Sequence, residues 1–165
     1  MSNDLRPRQS DPPPAICSER VLYYARLDES IEYRAGHGLM FIGGREVEKV
    51  PCLAICQLTQ NTNTESVLLC YCESDWSPIG VGGHESVAAA QRRAERIYPG
   101  VSSCWIEAQV TVEEVERYLD EQWGDERCHV CGKRGDKVDA LIEQSAGWIC
   151  DRCFAERKDT RRQDE

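Results

Sequence analysis

Positive charge is scarce in this sequence. Its 20 Lys and Arg residues face 29 Asp and Glu residues, so the formal net charge is −9 at pH 7. The imbalance lies in residues 21–127, which carry eighteen acidic and nine basic side chains. Proteins that bind nucleic acid usually need a positive stripe that displaces counterions from phosphate. The sequence therefore predicts no nucleic-acid partner, and its acidic middle segment favours a protein partner with a basic surface.

Long apolar runs are missing as well. No stretch reaches the roughly 18 apolar residues that a membrane-spanning helix needs. The N-terminal residues MSNDLRPRQSDPPPAIC lack the apolar region of a secretory signal, so we expect a cytoplasmic protein with no membrane partner. Thiols stay reduced in the cytosol, and the ten cysteines are therefore predicted to be metal ligands or buried thiols instead of five disulfides.

Short β-rich segments follow one another from residue 21 onward. VLYYARL, IEYRA and GLMFIGG are separated by charged or glycine-containing breaks. VPCLAICQL and SVLLCYC are stronger strand candidates, and the polar turn TQNTNTE lies between them. The pattern predicts that residues 50–58 and 66–72 form a hairpin.

Two helices are predicted after these strands. Residues 86–98 carry apolar side chains at helical spacing, with Ser86 as the N-cap and Pro99 at the end. In the second helix Thr111 and Glu114 can form a capping box, in which each side chain satisfies a backbone N–H. The apolar stripe of that helix comprises Val112, Val115 and Leu119. SCWIEAQV, between the helices, is predicted to be a strand.

These elements predict an α+β fold, with an antiparallel sheet, two helices on one of its faces, and a small module after them. Residues 1–19 are polar, contain DPPP and are predicted to form a disordered or extended arm. Residues 21–123 make the α+β domain, and GDER links it to a cysteine-containing module over residues 127–155. Residues 156–165 are a charged tail that we expect to form a short helix fraying into solvent.

Four cysteines near the end of the chain form two C-x-x-C pairs. Cys128 and Cys131 make the first, Cys150 and Cys153 the second, and eighteen residues separate the pairs. Zinc in structural sites prefers a tetrahedron of thiolates, and two such turns supply it. Four sulfurs leave no open position for water, so the spacing predicts one structural zinc ion, with a redox dithiol or unrelated buried thiols as the alternative. Gly132 permits the tight turn after the first pair.

The residues around these cysteines resemble a known zinc module. C-x-x-C-G-K, Val138, Leu141-Ile142 and Ile149-Cys150-x-x-Cys153 are similar to the C4-type zinc-binding domain of the ClpX unfoldase over residues 127–155. The resemblance implies a treble-clef-like module that dimerises and recruits protein partners, with the four cysteines as zinc ligands. It also implies that a small core and a dimer or partner surface are supplied by Val138, Leu141, Ile142, Trp148, Ile149 and Phe154. The sequence has no G-x-x-x-x-G-K-[ST] loop, so we expect no unfoldase activity.

Residues 21–123 leave three alternatives open. The cysteines of the two strong strand candidates either form a second metal site or, as is commoner, fill an apolar core; they are Cys52, Cys56, Cys70 and Cys72. The Gly-rich segment 80–86 either seats an anion before a helix or makes a tight turn. His84 and one of the strand cysteines, Cys70 or Cys72, can also be considered as a nucleophile–base pair.

The leading functional hypothesis is a non-enzymatic bacterial interaction protein. Its zinc module would dimerise or dock a protein partner, and its acidic domain would act as an inhibitor or immunity-type binder. The alternative is an enzyme whose catalytic residues lie in the α+β domain, with the zinc module as an accessory. A pocket with several titratable groups of shifted pKa favours the enzyme, whereas an apolar patch near the zinc module favours the binder.

Overall fold

The computed structural model describes residues 11–37, 41–42, 44–58 and 65–163. Its strands are β1 (Ala15–Ile16), β2 (Glu19–Arg26), β3 (Phe41–Ile42), β4 (Arg45–Glu46), β5 (Cys52–Gln57), β6 (Val67–Cys72), β7 (Pro78–His84), β8 (Ile106–Glu107), β9 (Leu141–Gln144) and β10 (Gly147–Cys150). Its helices are α1 (Val87–Ile97), α2 (Val112–Trp123) and α3 (Asp151–Gln163). Within the described ranges, no helix combines the length and the apolar character needed to cross a bilayer. The chain divides into two compact units, Met1–Val115 and Glu116–Glu165.

The first unit is built on an antiparallel sheet with the strand order β1-β2-β5-β6-β7, and β8 also pairs with β2. The predicted hairpin forms between β5 and β6, where Cys52 faces Cys72 and Leu53 faces Tyr71. The TQNTNTE turn between these strands lies almost wholly outside the described residues. The α+β class and the antiparallel sheet are therefore confirmed.

Both faces of the central hairpin are buried, because β5 and β6 are apolar at nearly every position. One face carries Leu53, Ile55 and Leu69, which pack with buried residues of α1. The opposite face carries the strand cysteines together with Ile16 and Trp76. The sequence alternation that placed Cys52 with Cys56 and Cys70 with Cys72 thus puts all four thiols on the face away from α1.

Helix α1 begins and ends where its sequence signals lie. The Ser86 hydroxyl accepts a hydrogen bond from the Ala89 N–H at 3.2 Å, and Ala90, Ala94 and Ile97 are buried on the sheet side. The chain leaves the helix at Tyr98 and turns at Gly100, whose φ of 95° suits a residue without a Cβ.

Two sequence predictions in the first unit need correction. Residues 15–19 of the predicted arm are not disordered, because Ala15 and Ile16 are buried in the sheet, and residues 1–10 lie outside the described part of the chain. The Gly-rich segment before α1 is neither a tight turn nor an anion loop over its length. It belongs to β7, which pairs with β6 and carries Val81 at 52% exposure. Glycine weakens strands on average, but here the six-residue ladder with β6 fixes the extended backbone.

Helix α2 crosses the boundary between the two units. Its capping box forms as predicted: the Thr111 N–H donates to the Glu114 carboxylate at 2.8 Å, and the Thr111 hydroxyl accepts from the Glu114 N–H at 3.2 Å. Val115 is buried, but Val112 is 57% exposed and does not belong to a buried stripe. From Glu116 onward the helix is part of the second unit. The α-helical residues in the main core of the first unit come from α1.

The second unit contains a hairpin followed by a helix. Strands β9 and β10 pair antiparallel from Leu141↔Cys150 to Gln144↔Gly147. Helix α3 starts at Asp151, directly after β10, so the charged tail predicted from residue 156 continues a helix that begins five residues earlier. The hairpin and the start of α3 place the second cysteine pair at a strand end and in the first helical turn.

Candidate metal centre

The first cysteine pair lies in a tight turn that its backbone closes. The Gly132 N–H donates to the Cys128 carbonyl at 2.7 Å, and the Cys128 N–H donates to the Lys133 carbonyl at 2.9 Å. Gly132 has a φ of 74°, in the left-handed region where a side chain is strained. The role predicted for Gly132 is confirmed, and the turn brings the side chains of Cys128 and Cys131 toward one point.

The second pair spans the junction between β10 and α3. Cys150 is the last residue of β10, and Cys153 lies in the first turn of α3. The Cys153 N–H donates to the Cys150 sulfur at 3.5 Å, while the Asp151 N–H donates to the Ala140 carbonyl at 3.1 Å. These contacts tie the start of the helix to the hairpin and fix the direction of both thiols.

The four sulfur atoms meet in one cluster. All lie within 4.8 Å of one another, and the sulfurs of Cys131 and Cys150 are 3.8 Å apart. A tetrahedral site with Zn–S bonds of about 2.3 Å separates its sulfurs by about 3.8 Å. Cys128, Cys131, Cys150 and Cys153 are therefore placed to bind a metal ion, as the sequence predicts, and the spacing fits zinc.

Backbone N–H groups stabilise the thiolate form within the cluster. Burial of Cys128 opposes ionisation, but hydrogen bonds from the backbone of Cys150, Cys131 and Val130 outweigh it and lower the pKa of Cys128 to about 6. Metal ions bind the thiolate and not the thiol, so this arrangement favours metal binding at neutral pH. The same N–H groups would support the sulfur charge once a metal is bound.

The cluster is buried on one side and open on the other. Cys128, Cys150 and Cys153 are buried with Ile149, whereas Cys131 is exposed. His129 is held at the edge, since its Nδ1 lies 2.7 Å from the Trp148 carbonyl and its backbone N–H donates to that oxygen. His129 is not one of the residues of the ligand cluster.

The predicted partner surface is divided between core and surface. Ile149 is fully buried at 0% exposure, so its assignment to the surface is wrong and it forms the core beneath the sulfurs. The other five residues are partly exposed: Val138, Leu141, Ile142, Trp148 and Phe154. Four of these five pack against the buried cluster, and Trp148 is the exception.

An ion-pair network that the sequence did not predict lies next to the turn of the first cysteine pair. Arg134, three residues after Cys131, is 5% exposed and donates to three carboxylates. Its guanidinium lies 2.7 Å from Glu116, 2.6 Å from Asp120 and 2.9 Å from Asp136. Hydrogen bonds from Arg134 hold the pKa values of Glu116 and Asp120 below their usual range, although partial burial opposes this. Arg134 thus joins the end of α2 to the segment that follows the first cysteine pair.

A close aromatic contact reinforces this junction. Gly135 lies against Trp123, so near that a Cβ at residue 135 would stand 2.6 Å from the indole ring. The guanidinium group of Arg127 donates to the Gly124 carbonyl at 2.8 Å and pairs with Asp120 at 3.2 Å. The second unit therefore includes the last two turns of α2, and it is larger than the 127–155 module predicted from the cysteine spacing.

The four cysteines of β5 and β6 were predicted to form either a second metal site or part of an apolar core. The strand cysteines are fully buried, as the core interpretation predicts, and among the described residues the C-terminal cluster alone qualifies as a group of three or more potential ligands.

The structure contradicts the nucleophile–base pair considered for His84 and Cys70 or Cys72. Cys70 faces Val81 on β7, and His84 is three residues from Val81, so alternation turns the two side chains to opposite faces. Cys72 pairs with Pro78 at the far end of the strand.

Comparison with known proteins adds no family to this geometry. No family model, curated protein or solved structure matches the chain. The likeness of residues 127–155 to the ClpX-type module therefore stays a prediction, and the proposals that follow rest on the residues themselves.

Proposed function

We propose that the four cysteines hold one structural zinc ion and that the unit around it binds a protein surface, first of all a second copy of the chain. The observation that carries this proposal is a closed four-sulfur cluster whose apolar neighbours stay partly exposed. Four thiolates leave no position for water or substrate, so the metal supports the fold and does not carry out catalysis. The ten cysteines are free thiols, which fits a reducing cytoplasmic compartment.

The small size of the second unit explains why the metal is needed. The hairpin and the first turn of α3 bury only a few apolar side chains around Ile149. Units of this size do not usually bury enough apolar area to fold without a metal, a disulfide or a partner. Zinc supplies that stability, because the folded cluster binds it and the unfolded chain binds it poorly.

Because the second unit is small, some of its apolar side chains stay partly exposed and are available to a partner. Leu141, Ile142 and Phe154 pack against the core and stay partly exposed, and Trp148 on β10 is partly exposed as well. Val130, in the first cysteine turn, is 48% exposed. A two-fold interface needs only one self-complementary patch, so a second copy of this chain can cover it. The acid excess of the chain favours a basic surface on any other protein partner.

Self-association provides the test of this proposal. The zinc-loaded full chain is expected to sediment as a dimer at micromolar concentration. Burying a Leu or Trp side chain contributes about 1.5–3 kcal/mol, and 1.4 kcal/mol is tenfold in affinity. Trp148→Asp and Leu141→Asp should therefore weaken the dimer by about tenfold or more while zinc stays bound.

A matched control separates the patch from general surface effects. Val81 is also an exposed apolar residue on a strand, but it lies in the first unit. Val81→Asp should leave the sedimentation of the chain unchanged. A chain that is monomeric at every concentration, or a dimer that Trp148→Asp and Val81→Asp weaken equally, would contradict the proposal.

A further inference from the structure

The four cysteines of the metal centre differ in their exposure to solvent. Cys128, Cys150 and Cys153 are 1%, 2% and 7% exposed, whereas Cys131 is an exposed residue. A small solute therefore has its easiest approach to the cluster at Cys131. The rate at which a cysteine is oxidised follows its thiolate character and its exposure, so Cys131 is the ligand that an oxidant meets first.

The chain around Cys131 keeps this approach open. Residues 129–133 are all exposed, and Cys131 lies in the middle of that run. Gly132 follows directly, and among the described residues a Cβ built on it would have nothing but its chain neighbours within 4 Å. The φ of 74° at Gly132 favours a residue without a side chain. The glycine that closes the turn thus also keeps the space beside Cys131 free.

A second thiol of the cluster is in contact with Cys131. The sulfur of Cys150 lies 3.8 Å from that of Cys131. The turn is tied to β10 by His129, whose backbone N–H donates to the Trp148 carbonyl at 2.8 Å and whose Nδ1 lies 2.7 Å from the same oxygen. Cys131 and Cys150 each lie two residues beyond this contact. Their sulfurs are therefore held close together, although they belong to different cysteine pairs.

We propose that Cys131 is the oxidation site of the four-cysteine cluster, where a small peroxide reacts first and Cys150 then closes a reversible disulfide that releases the metal. This inference rests on the proposed function, because it takes the four sulfurs to be the ligands of one zinc ion. It adds a regulation to that function. Loss of the metal removes the stability of β9 and β10, and the partner surface on these strands is lost with it.

The chemistry balances with hydrogen peroxide as the oxidant. The Cys131 thiolate attacks one peroxide oxygen, the O–O bond breaks, and the departing hydroxide takes a proton from solvent, which gives Cys131 sulfenic acid and water. The Cys150 thiolate then attacks the sulfenic sulfur, the S–O bond breaks, and the hydroxide that leaves takes a second proton from solvent to become water. Two electrons pass from the two sulfurs to the peroxide. Two of the four ligands are then used up, so a shell of four thiolates can no longer form.

A buried thiol pair in the first unit provides an internal comparison. Cys56 and Cys70 have their sulfurs 3.9 Å apart, a contact similar to that between Cys131 and Cys150. Both residues are fully buried in the sheet, so a peroxide has no open approach to them. Peroxide at a dose that oxidises Cys131 should therefore leave Cys56 a free thiol.

Peptide mapping of the zinc-loaded full chain tests the site. The chain receives graded doses of hydrogen peroxide, sulfenic acid is trapped with dimedone in one aliquot, and the remaining thiols are alkylated after denaturation. Trypsin then yields the peptides 128–133, 138–152 and 153–157, which separate Cys150 from Cys153. The first dimedone adduct should lie on Cys131, and without dimedone the first two peptides should be linked through Cys131 and Cys150. Native mass spectrometry should show one zinc ion lost for each linked pair, and a thiol reductant with added zinc should restore the ion.

Cys131→His is the informative variant, because three cysteines and one histidine also form a structural zinc set. It should keep its zinc at peroxide doses that remove the ion from the natural chain. Cys17→Ser is the matched control, since Cys17 is also exposed but lies in the turn between β1 and β2 of the first unit. This control should lose zinc and form the linked peptides like the natural chain.

The outcomes separate this inference from the proposed function. A chain that holds no zinc before peroxide treatment would contradict the proposed function and the metal release with it. A chain that holds zinc but is oxidised first at Cys128, Cys150 or Cys153 would overturn the oxidation site alone. So would a first disulfide that joins Cys131 to Cys128, oxidation of Cys56 at the same dose, or a zinc-loaded Cys131→His protein that releases its ion as readily as the natural chain.

Discussion

Replacing Cys150 by serine is expected to release the metal and unfold residues 127–155. Cys150 is 2% exposed, ends β10 and accepts the Cys153 N–H, so both the ligand set and the hairpin–helix junction depend on it. Structural zinc contributes about 10–16 kcal/mol in small zinc-binding peptides. A natural domain has only about 5–15 kcal/mol of net stability, so a unit this small cannot absorb the loss.

Hydrogen exchange of the full chain would measure this effect. Amide protection should disappear in β9 and β10 of the variant, while β5 and β6 keep theirs because their core is separate. Cys104→Ser should bind zinc and exchange like the natural chain. A Cys150→Ser protein that retains a full zinc ion, or that protects β9 and β10 as before, would contradict the structural role of the metal.

Replacing Arg134 by methionine should have the next largest effect. The Arg134 side chain is 6% exposed and lies against Asp136, whose side chain is 7% exposed. Without the guanidinium, the Asp136 carboxylate stays buried and loses its bidentate partner. Breaking a buried pair in this way costs about 3–5 kcal/mol. We expect a loss of that size in the opening free energy of β9 and β10, measured by hydrogen exchange at saturating zinc.

Lys137 provides the matched control for Arg134. It pairs with the same Glu116 at 3.1 Å, but its side chain is 51% exposed. Exposed ion pairs contribute about 0–1 kcal/mol, so Lys137→Met should change little. Adding Asp136→Asn to Arg134→Met should recover part of the loss, since it removes the stranded charge. If Arg134→Met and Lys137→Met lowered the opening free energy of β9 and β10 equally, the buried character of the Arg134 network would be contradicted.

Structural features that depend only on residues close together in the sequence were predicted correctly. The cap at Ser86, the capping box at Thr111 and the turn at Gly132 each involve residues within a few positions, and all three form as predicted. The β5–β6 hairpin follows from two apolar runs flanking a polar turn. The cluster of four cysteine sulfurs follows from the sequence spacing, because a C-x-x-C turn fixes two sulfurs without reference to the rest of the fold.

Features that depend on distant residues were not predicted. In the sequence nothing distinguishes Arg134 from a surface cation, and its partners Glu116 and Asp120 lie on a helix that ends before the first cysteine pair. Gly82 and Gly83 resemble loop residues until β6 is placed beside them. No local signal marks Cys17 as a turn residue, because its left-handed backbone results from the pairing of β1 with β2. In each case contacts with residues distant in the sequence outweigh the local conformational preference of the residue.

Metal analysis of the full chain tests the central claim most directly. The protein is purified under reducing conditions without chelator, and its zinc is measured per chain by native mass spectrometry, alongside a variant in which Cys128, Cys131, Cys150 and Cys153 are all serine. We predict one zinc ion on the natural chain and none on the variant. A natural chain without zinc, or a variant that still binds one ion, would contradict the assignment of these four sulfurs as a structural zinc site.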